Sequence, residues 1–266
     1  MLITMLGTGN AVVTKCYNTC FVLTGGGKRL LVDGGGGSGI LTQLERAHID
    51  PRTIHEIFVT HKHIDHLLGV IWMIRVQGYL IGAGLIPEGV TIYAHDEVIA
   101  LLRSLARTLL GPVEVAQLEE RFHFVEVTDG ETREIMGRPV TFFDIASTKA
   151  KQFGFSMELE GGGKLTCCGD EPLSEAGLPY AAGAKWLLHE AFCLEAEQEV
   201  FRPYEKHHST VAHACKLAEA LGVQNLLLYH TEDTHYEERR ALYTAEGRQY
   251  FTGGLYVPED LETIRL

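Results

Sequence analysis

The chemistry of this chain concentrates in one short segment, Thr60-His61-Lys62-His63-Ile64-Asp65-His66. Three imidazoles and a carboxylate follow directly on Ile54–Thr60 (IHEIFVT), an apolar run that reads as a short buried strand. Desolvating these side chains together is costly unless a cation coordinates them. Read as a loop, the segment turns His61 and His63 one way, while Asp65 and His66 point to a neighbouring position. One stretch of chain can then seed two adjacent metal positions. The plainer alternative is a solvated histidine cluster.

Elements that could hold such a segment are readable on both sides of it. Leu2–Gly7 and Thr19–Thr24 read as strands, and a Gly25-Gly26-Gly27 turn leads to a hairpin partner, Arg29–Asp33. A helical pattern covers Ile40–His48, Val90–Ala94 reads as a strand, and Glu97–Leu110 as an amphipathic helix. Phe122–Val127 and Pro139–Ile145 read as further strands. Thr210–Leu221 reads as a helix with Ser209 as N-cap and Gly222 at its end. The apolar runs Ile54–Thr60, Lys185–Leu188 and Asn225–Tyr229 each finish at a histidine: His61, His189 and His230. In α/β sheets, ligands gather beyond the carboxyl ends of strands. Phe21–Asp33 (FVLTGGGKRLLVD) is echoed by Phe155–Asp170 (FSMELEGGGKLTCCGD), each a strand, a tri-glycine turn, a strand and an aspartate. The echo predicts one domain of two similar halves, roughly 1–145 and 146–266.

Composition narrows the function classes. The chain has 266 residues, 45% hydrophobic and 22% charged, which is ordinary for a globular α/β protein. Lys and Arg number 23 against 35 Asp and Glu, a formal charge of −12 that disfavours a broad grip on nucleic acid. Six cysteines without zinc-type pairing read as free thiols in a reducing cytoplasm. MLITMLGTGN carries no basic leader region, and the most apolar stretch, Leu67–Ile86, is broken by Arg75, Gln77 and glycines, so no membrane span is expected. His48, His55, His95, His123, His213 and His235 have no partners at ligand spacing. Gly7-Thr8-Gly9 lacks the rest of a nucleotide loop, and no serine-nucleophile elbow is present.

The histidine segment has the form HxHxDH, and with its companions it resembles the metallo-β-lactamase superfamily. The companions are Asp33 closing the first hairpin, Asp170 in LTCCGD and His230 after NLLLY. LGTGN near the start, HEA at 189–191 and HST at 208–210 are similar to the ribonuclease Z branch. The resemblance implies an α/β fold, a four-layer αβ/βα sandwich with the metals at one edge. It also implies that His61 and His63 bind a first ion and that Asp65, His66 and His230 bind a second, with Asp170 bridging. Such donors suit Zn²⁺, one or two ions, and leave Mn²⁺ and Fe open. By the same likeness a metal-bound hydroxide attacks phosphorus, Asp65 orients or deprotonates it, His208 protonates the leaving oxygen and Glu190 holds or polarises His208. A homodimer is expected on that likeness alone.

Three departures bear on the substrate. Asp144–Phe155 contains no histidine where the family has a third ligand to the first ion. Lys15-Cys16-Tyr17-Asn18 lacks the proline and arginine of tRNA-processing relatives, and only a short glycine turn separates Phe155 from Asp170, where their tRNA-gripping arm would be inserted. The expectation is a metal-dependent hydrolase, a phosphodiesterase acting on a small or extended substrate rather than folded tRNA. The alternatives are authentic tRNA 3′ processing and a degenerate member that binds metal or ligand without turnover.

Overall fold

The alternating runs near the start fold as they read. β1 (Leu2–Gly7) pairs antiparallel with β2 (Cys20–Gly25). Gly26 and Gly27, at φ 57° and 77°, turn β2 back into β3 (Lys28–Val32), a backbone that only glycine adopts at low cost. The chain continues through α1 (Gly39–Arg46), β4 (Glu56–Phe58), α2 (Ile64–Gly82), β5 (Val90–Ala94), α3 (Asp96–Leu109), α4 (Pro112–Glu120) and β6 (Phe122–Glu126). β7 (Thr132–Ile135), β8 (Arg138–Asp144), β9 (Phe153–Glu158) and β10 (Lys164–Cys167) follow. Next come α5 (Leu178–Ala181), β11 (Trp186–Glu190), α6 (Gln198–Phe201), α7 (Val211–Ala220), β12 (Asn225–Tyr229), α8 (Arg239–Gly247), β13 (Gly254–Tyr256) and β14 (Thr263–Arg265). This computed structural model describes residues 1–266.

The chain forms two compact units. The first comprises Met1–Gly7, Tyr17–Thr128 and Leu261–Leu266, and the second Thr8–Cys16 and Asp129–Asp260. The first holds a seven-stranded sheet in the order β14-β1-β2-β3-β4-β5-β6, antiparallel up to β3 and parallel beyond. The second holds a sheet in the order β13-β12-β11-β10-β9-β8-β7, antiparallel from β7 to β10 and parallel beyond. The echoed segments are therefore equivalent hairpins, β2-β3 and β9-β10, each opening the parallel part of its sheet. The changeover falls at Thr128/Asp129 rather than near residue 145, because β7 and β8 hydrogen-bond into the second sheet.

Each unit has its own core. In the first, Val22, Leu31, Ile57 and Ile92 from the strands meet Leu44 of α1, Leu67, Val70 and Ile74 of α2, and Leu102 of α3. In the second, Leu187, Leu226 and Leu228 meet Val211, Ala214 and Ala218 of α7 and Tyr243 of α8. Burying one such Leu or Ile fully contributes roughly 1.5–3 kcal/mol. α2 is long and apolar enough to cross a membrane by length and composition, yet most of it is buried in the first unit. Its burial explains why no amphipathic signal marks it. α2, α4, α5, α6, α8, β7, β13 and β14 are additions to the elements read from the sequence.

Candidate metal centre

In the first unit the histidine segment starts where β4 ends. β4 stops at Phe58, and α2 begins at Ile64 with His63 in extended conformation before it. Asp65 and His66 thus lie in the first turn of α2, not in a loop as the sequence suggested. An acidic residue is favoured there by the positive end of the helix dipole. His61 Nε2 and His63 Nδ1 are 2.8 Å apart, and the His61 ring centroid lies 4.4 Å from that of His63 and 4.3 Å from that of His66. His66 Nε2 faces Asp65 Oδ2 at 3.4 Å. Every one of these side chains except His63 is buried.

Asp33 holds the cluster from behind. It sits just after β3 at φ 57°, a left-handed conformation rarely adopted outside glycine. Its carboxylate accepts from Thr60 N–H and Thr60 Oγ1, each at 2.8 Å, and lies 2.8 Å from His66 Nδ1. Thr60 Oγ1 is in turn 2.9 Å from His61 Nδ1. Both histidines therefore have Nδ1 engaged and present Nε2 to the cluster, the arrangement that fixes metal-binding imidazoles. A glycine contact makes this approach feasible. A Cβ on Gly69 of α2 would stand 1.8 Å from the Gly34 carbonyl oxygen, so the helix rests directly on the chain leaving β3. Gly34 N–H donates to the His66 carbonyl and Gly69 N–H to that of Gly35, both at 2.8 Å. Burial pushes the His66 pKa down, but the Asp33 and Asp65 carboxylates outweigh it and hold it well above the ordinary value. A field that draws a proton draws a cation.

The second unit gathers Asp170, Glu190, His208 and His230. His230 follows β12 at φ 57°, and its Nε2 lies 3.6 Å from Asp170 Oδ2. Asp170 is reached through Gly169 at φ 78°, whose carbonyl accepts from the Tyr229 hydroxyl. At that φ any side chain would be strained, and a Cβ would also stand 2.2 Å from Gln152 Nε2, which accounts for the glycine in the Gly-Asp pair. His208 donates Nδ1–H to the Asp170 carbonyl at 2.9 Å and stacks on Phe192, centroids 5.0 Å apart at 4°. Burial first, then His230, lowers its pKa to about 3. Glu190 Oε2 is 3.8 Å from His208 Nδ1, too far for a hydrogen bond, while Oε1 accepts Ser209 N–H at 2.6 Å. Burial raises the Glu190 pKa well above the usual carboxylate range, against the opposing Ser209 bonds.

Two local expectations change. His189 does not end a strand but lies inside β11, fully buried. It accepts Leu173 N–H at Nε2 and donates Nδ1–H to the Glu190 carbonyl, so both nitrogens serve the backbone. The cap of α7 is Thr210, whose hydroxyl accepts His213 N–H, because Ser209 is already tied to Glu190. The supporting roles of Asp33 and Thr60 were not read from the sequence; an aspartate at a strand end was their only signal. The candidate ligands His61, His63, Asp65, His66, Asp170 and His230 are imidazoles and carboxylates with no thiolate, a donor set that fits a divalent cation.

Fold and site define a metal-dependent hydrolase of the metallo-β-lactamase superfamily, resembling ribonuclease Z. Ribonuclease Z of Thermococcus sibiricus is 26% identical to this chain, covering 98% of it and 95% of the relative. Among solved structures, the metallo-β-lactamase fold protein YhfI from Bacillus subtilis superposes with a TM-score of 0.80 at 16% identity, covering 99% of this chain and 98% of that one. The short form of human tRNase Z gives 0.75 at 23% identity, covering 100% and 99%. Residues 1–252 match the family described as Anti-Pycsar protein Apyc1, and the chain belongs to that family.

Proposed function

We propose that this hydrolase cleaves phosphodiesters with two divalent ions, zinc by the chemistry of its donors. In this reading His61, His63 and Asp170 hold one ion, and Asp65, His66, His230 and the same Asp170 hold the other. The observation that carries it is the imidazole cluster at the start of α2, backed by Asp33 and Thr60. When bound, the ions supply Lewis acidity at phosphoryl oxygens and make water acidic enough to react near neutral pH.

The chain's own residues divide the remaining work. Asp65, in the first turn of α2, orients the attacking water and takes its proton. His208 has Nδ1–H committed to the Asp170 carbonyl and a ring that burial keeps neutral, so its Nε2 acts as an acceptor: it takes up the proton released by the attacking water and then passes it to the leaving oxygen. Glu190 acts on the Ser209 backbone and fixes the turn that carries His208. The charge of −12 and the three departures at 15–18, 144–155 and 155–170 support a small or extended diester over folded tRNA. Six cysteines, none of them in a disulfide, support a cytoplasmic setting.

The test is hydrolysis of bis(p-nitrophenyl) phosphate beside precursor-tRNA cleavage by the metal-loaded protein. Diester turnover is expected, and Asp65→Ala should lower kcat/KM by about 100-fold or more. Efficient precursor cleavage would assign tRNA 3′ processing instead. Turnover of neither, with metal bound, would leave a binding protein.

A further inference from the structure

The stretch 144–155, which has no histidine, builds a tight cradle in the second unit. Asp144 Oδ1 accepts Ala146 N–H at 2.8 Å, and Ala146 itself takes φ 57°. Ser147 Oγ donates to Glu171 at 2.7 Å and accepts the N–H groups of Lys149 and Ala150 at 3.2 and 3.3 Å. Thr148 Oγ1 lies 2.9 Å from His207 Nδ1, tying this loop to the residue before His208. Both hydroxyls are therefore committed within the protein. The next side chain, Lys149, is exposed, and its ammonium has no carboxylate or hydrogen-bond partner.

Lys149 stays unpaired in a chain with 35 acidic residues against 23 Lys and Arg. The same rim carries Lys206, whose Nζ lies 5.2 Å over the Phe192 ring that stacks on His208. Asp144 and Glu171, the nearby carboxylates of the cradle, are turned inward to Ala146 N–H and Ser147 Oγ. An exposed ammonium with three donors, carried on a backbone fixed by side-chain bonds, suits a phosphate oxygen.

We infer that Lys149 anchors the substrate's charge, its ammonium taking a non-bridging phosphoryl oxygen of the diester beside His208. The inference rests on the phosphodiester reading for the reaction, but not for the binding of phosphate. No bond forms or breaks at Lys149; it is a specificity residue.

The experiment compares wild type, Lys149→Met, Lys149→Arg and the remote control Lys28→Ala, all metal-loaded. For bis(p-nitrophenyl) phosphate, Lys149→Met should raise KM about tenfold, with kcat falling no more than about threefold, as expected when binding common to ground and transition state is lost. Lys149→Arg should stay within about threefold of wild type, and Lys28→Ala should match it. The dependence of KM on salt should be shallower in Lys149→Met. In parallel, calorimetric titration with inorganic phosphate should show the same tenfold weakening for Lys149→Met. Equal phosphate affinity in wild type and Lys149→Met would overturn the proposal, even if the diester is not turned over. Equal KM values would overturn it where the diester is turned over. Failure of wild type to hydrolyse the diester, with the phosphate difference intact, would sink the functional reading alone.

Discussion

Asp33 Oδ2 lies 2.8 Å from His66 Nδ1. The same carboxylate also accepts from the backbone and hydroxyl of Thr60, so one buried side chain joins the ends of β3 and β4 to the first turn of α2. It sets which nitrogen of His66 faces Asp65. Asp33→Asn replaces one acceptor oxygen by a donor and should weaken metal binding by about 10- to 100-fold, the range for partners behind a ligating imidazole. Competition with a chelator measures it. Wild-type affinity in a folded Asp33→Asn variant would remove Asp33 from the site.

His189 gives a prediction in pH. Burial lowers its pKa to about 4 from the ordinary 6.5, with the Glu190 carbonyl opposing. Folded protein keeps the ring neutral while the unfolded chain binds a proton below about pH 6.5. Stability is therefore fully present above 6.5 and is lost as pH falls toward 4. By pH 5 the loss should reach about 2 kcal/mol from this group. His189→Gln can keep both backbone bonds without titrating. Urea unfolding at pH 7 and pH 5 should show wild type losing more stability than His189→Gln by that amount, and parallel losses would refute the linkage.

Legibility followed the physics of each element. Strands with alternating or wholly apolar residues, such as Leu2–Gly7 and Asn225–Tyr229, were plain. So was the HxHxDH segment, because three imidazoles and a carboxylate crowded behind a buried strand are costly to desolvate without a cation. α2 was hidden because a helix apolar on most faces shows no 3.6-residue period. β7 was hidden by its exposed residues, Thr132, Arg133 and Glu134, on an edge strand. Asp33 could be seen as a strand-end aspartate, but its three bonds depend on Gly34 meeting Gly69, a contact across 35 residues of sequence. The N-cap of α7 went to Thr210 rather than Ser209 because Glu190, distant in sequence, had already taken Ser209.

Thr210 supplies a local test of that last point. Its hydroxyl accepts His213 N–H in the first turn of α7 and donates to Glu195. Thr210→Ala should cost about 1–2 kcal/mol, the usual loss for an N-cap. Because Ser209 bonds to Glu190 instead, Ser209→Ala should leave the cap intact and act on the turn carrying His208. Denaturant midpoints and diester kinetics separate the two. Thr210→Ala should lower the midpoint with kcat nearly kept, while Ser209→Ala should lower kcat more than the midpoint. The opposite pattern would assign the cap to Ser209.

The two ions should not be held equally. In the proposed assignment the second position has Asp65, His66 and His230 with a share of Asp170, and His66 is fixed by Asp33. The first has His61 and His63 with its share of Asp170. The neutral side chains that could complete it, Ser147 and Thr148, are committed to Glu171 and His207. A zinc site wants three firm protein ligands beside its open position, and the first reaches that count only through the shared carboxylate. Dialysis should therefore leave close to one equivalent of metal, and added Zn²⁺ or Mn²⁺ should restore the second equivalent and raise diester turnover. Asp170→Asn should weaken the first position further, read as a higher Zn²⁺ concentration needed to restore the second equivalent after dialysis. Elemental analysis together with anomalous scattering locates each ion. Two equally retained ions would contradict the assignment and would require a ligand to the first position beyond His61, His63 and Asp170.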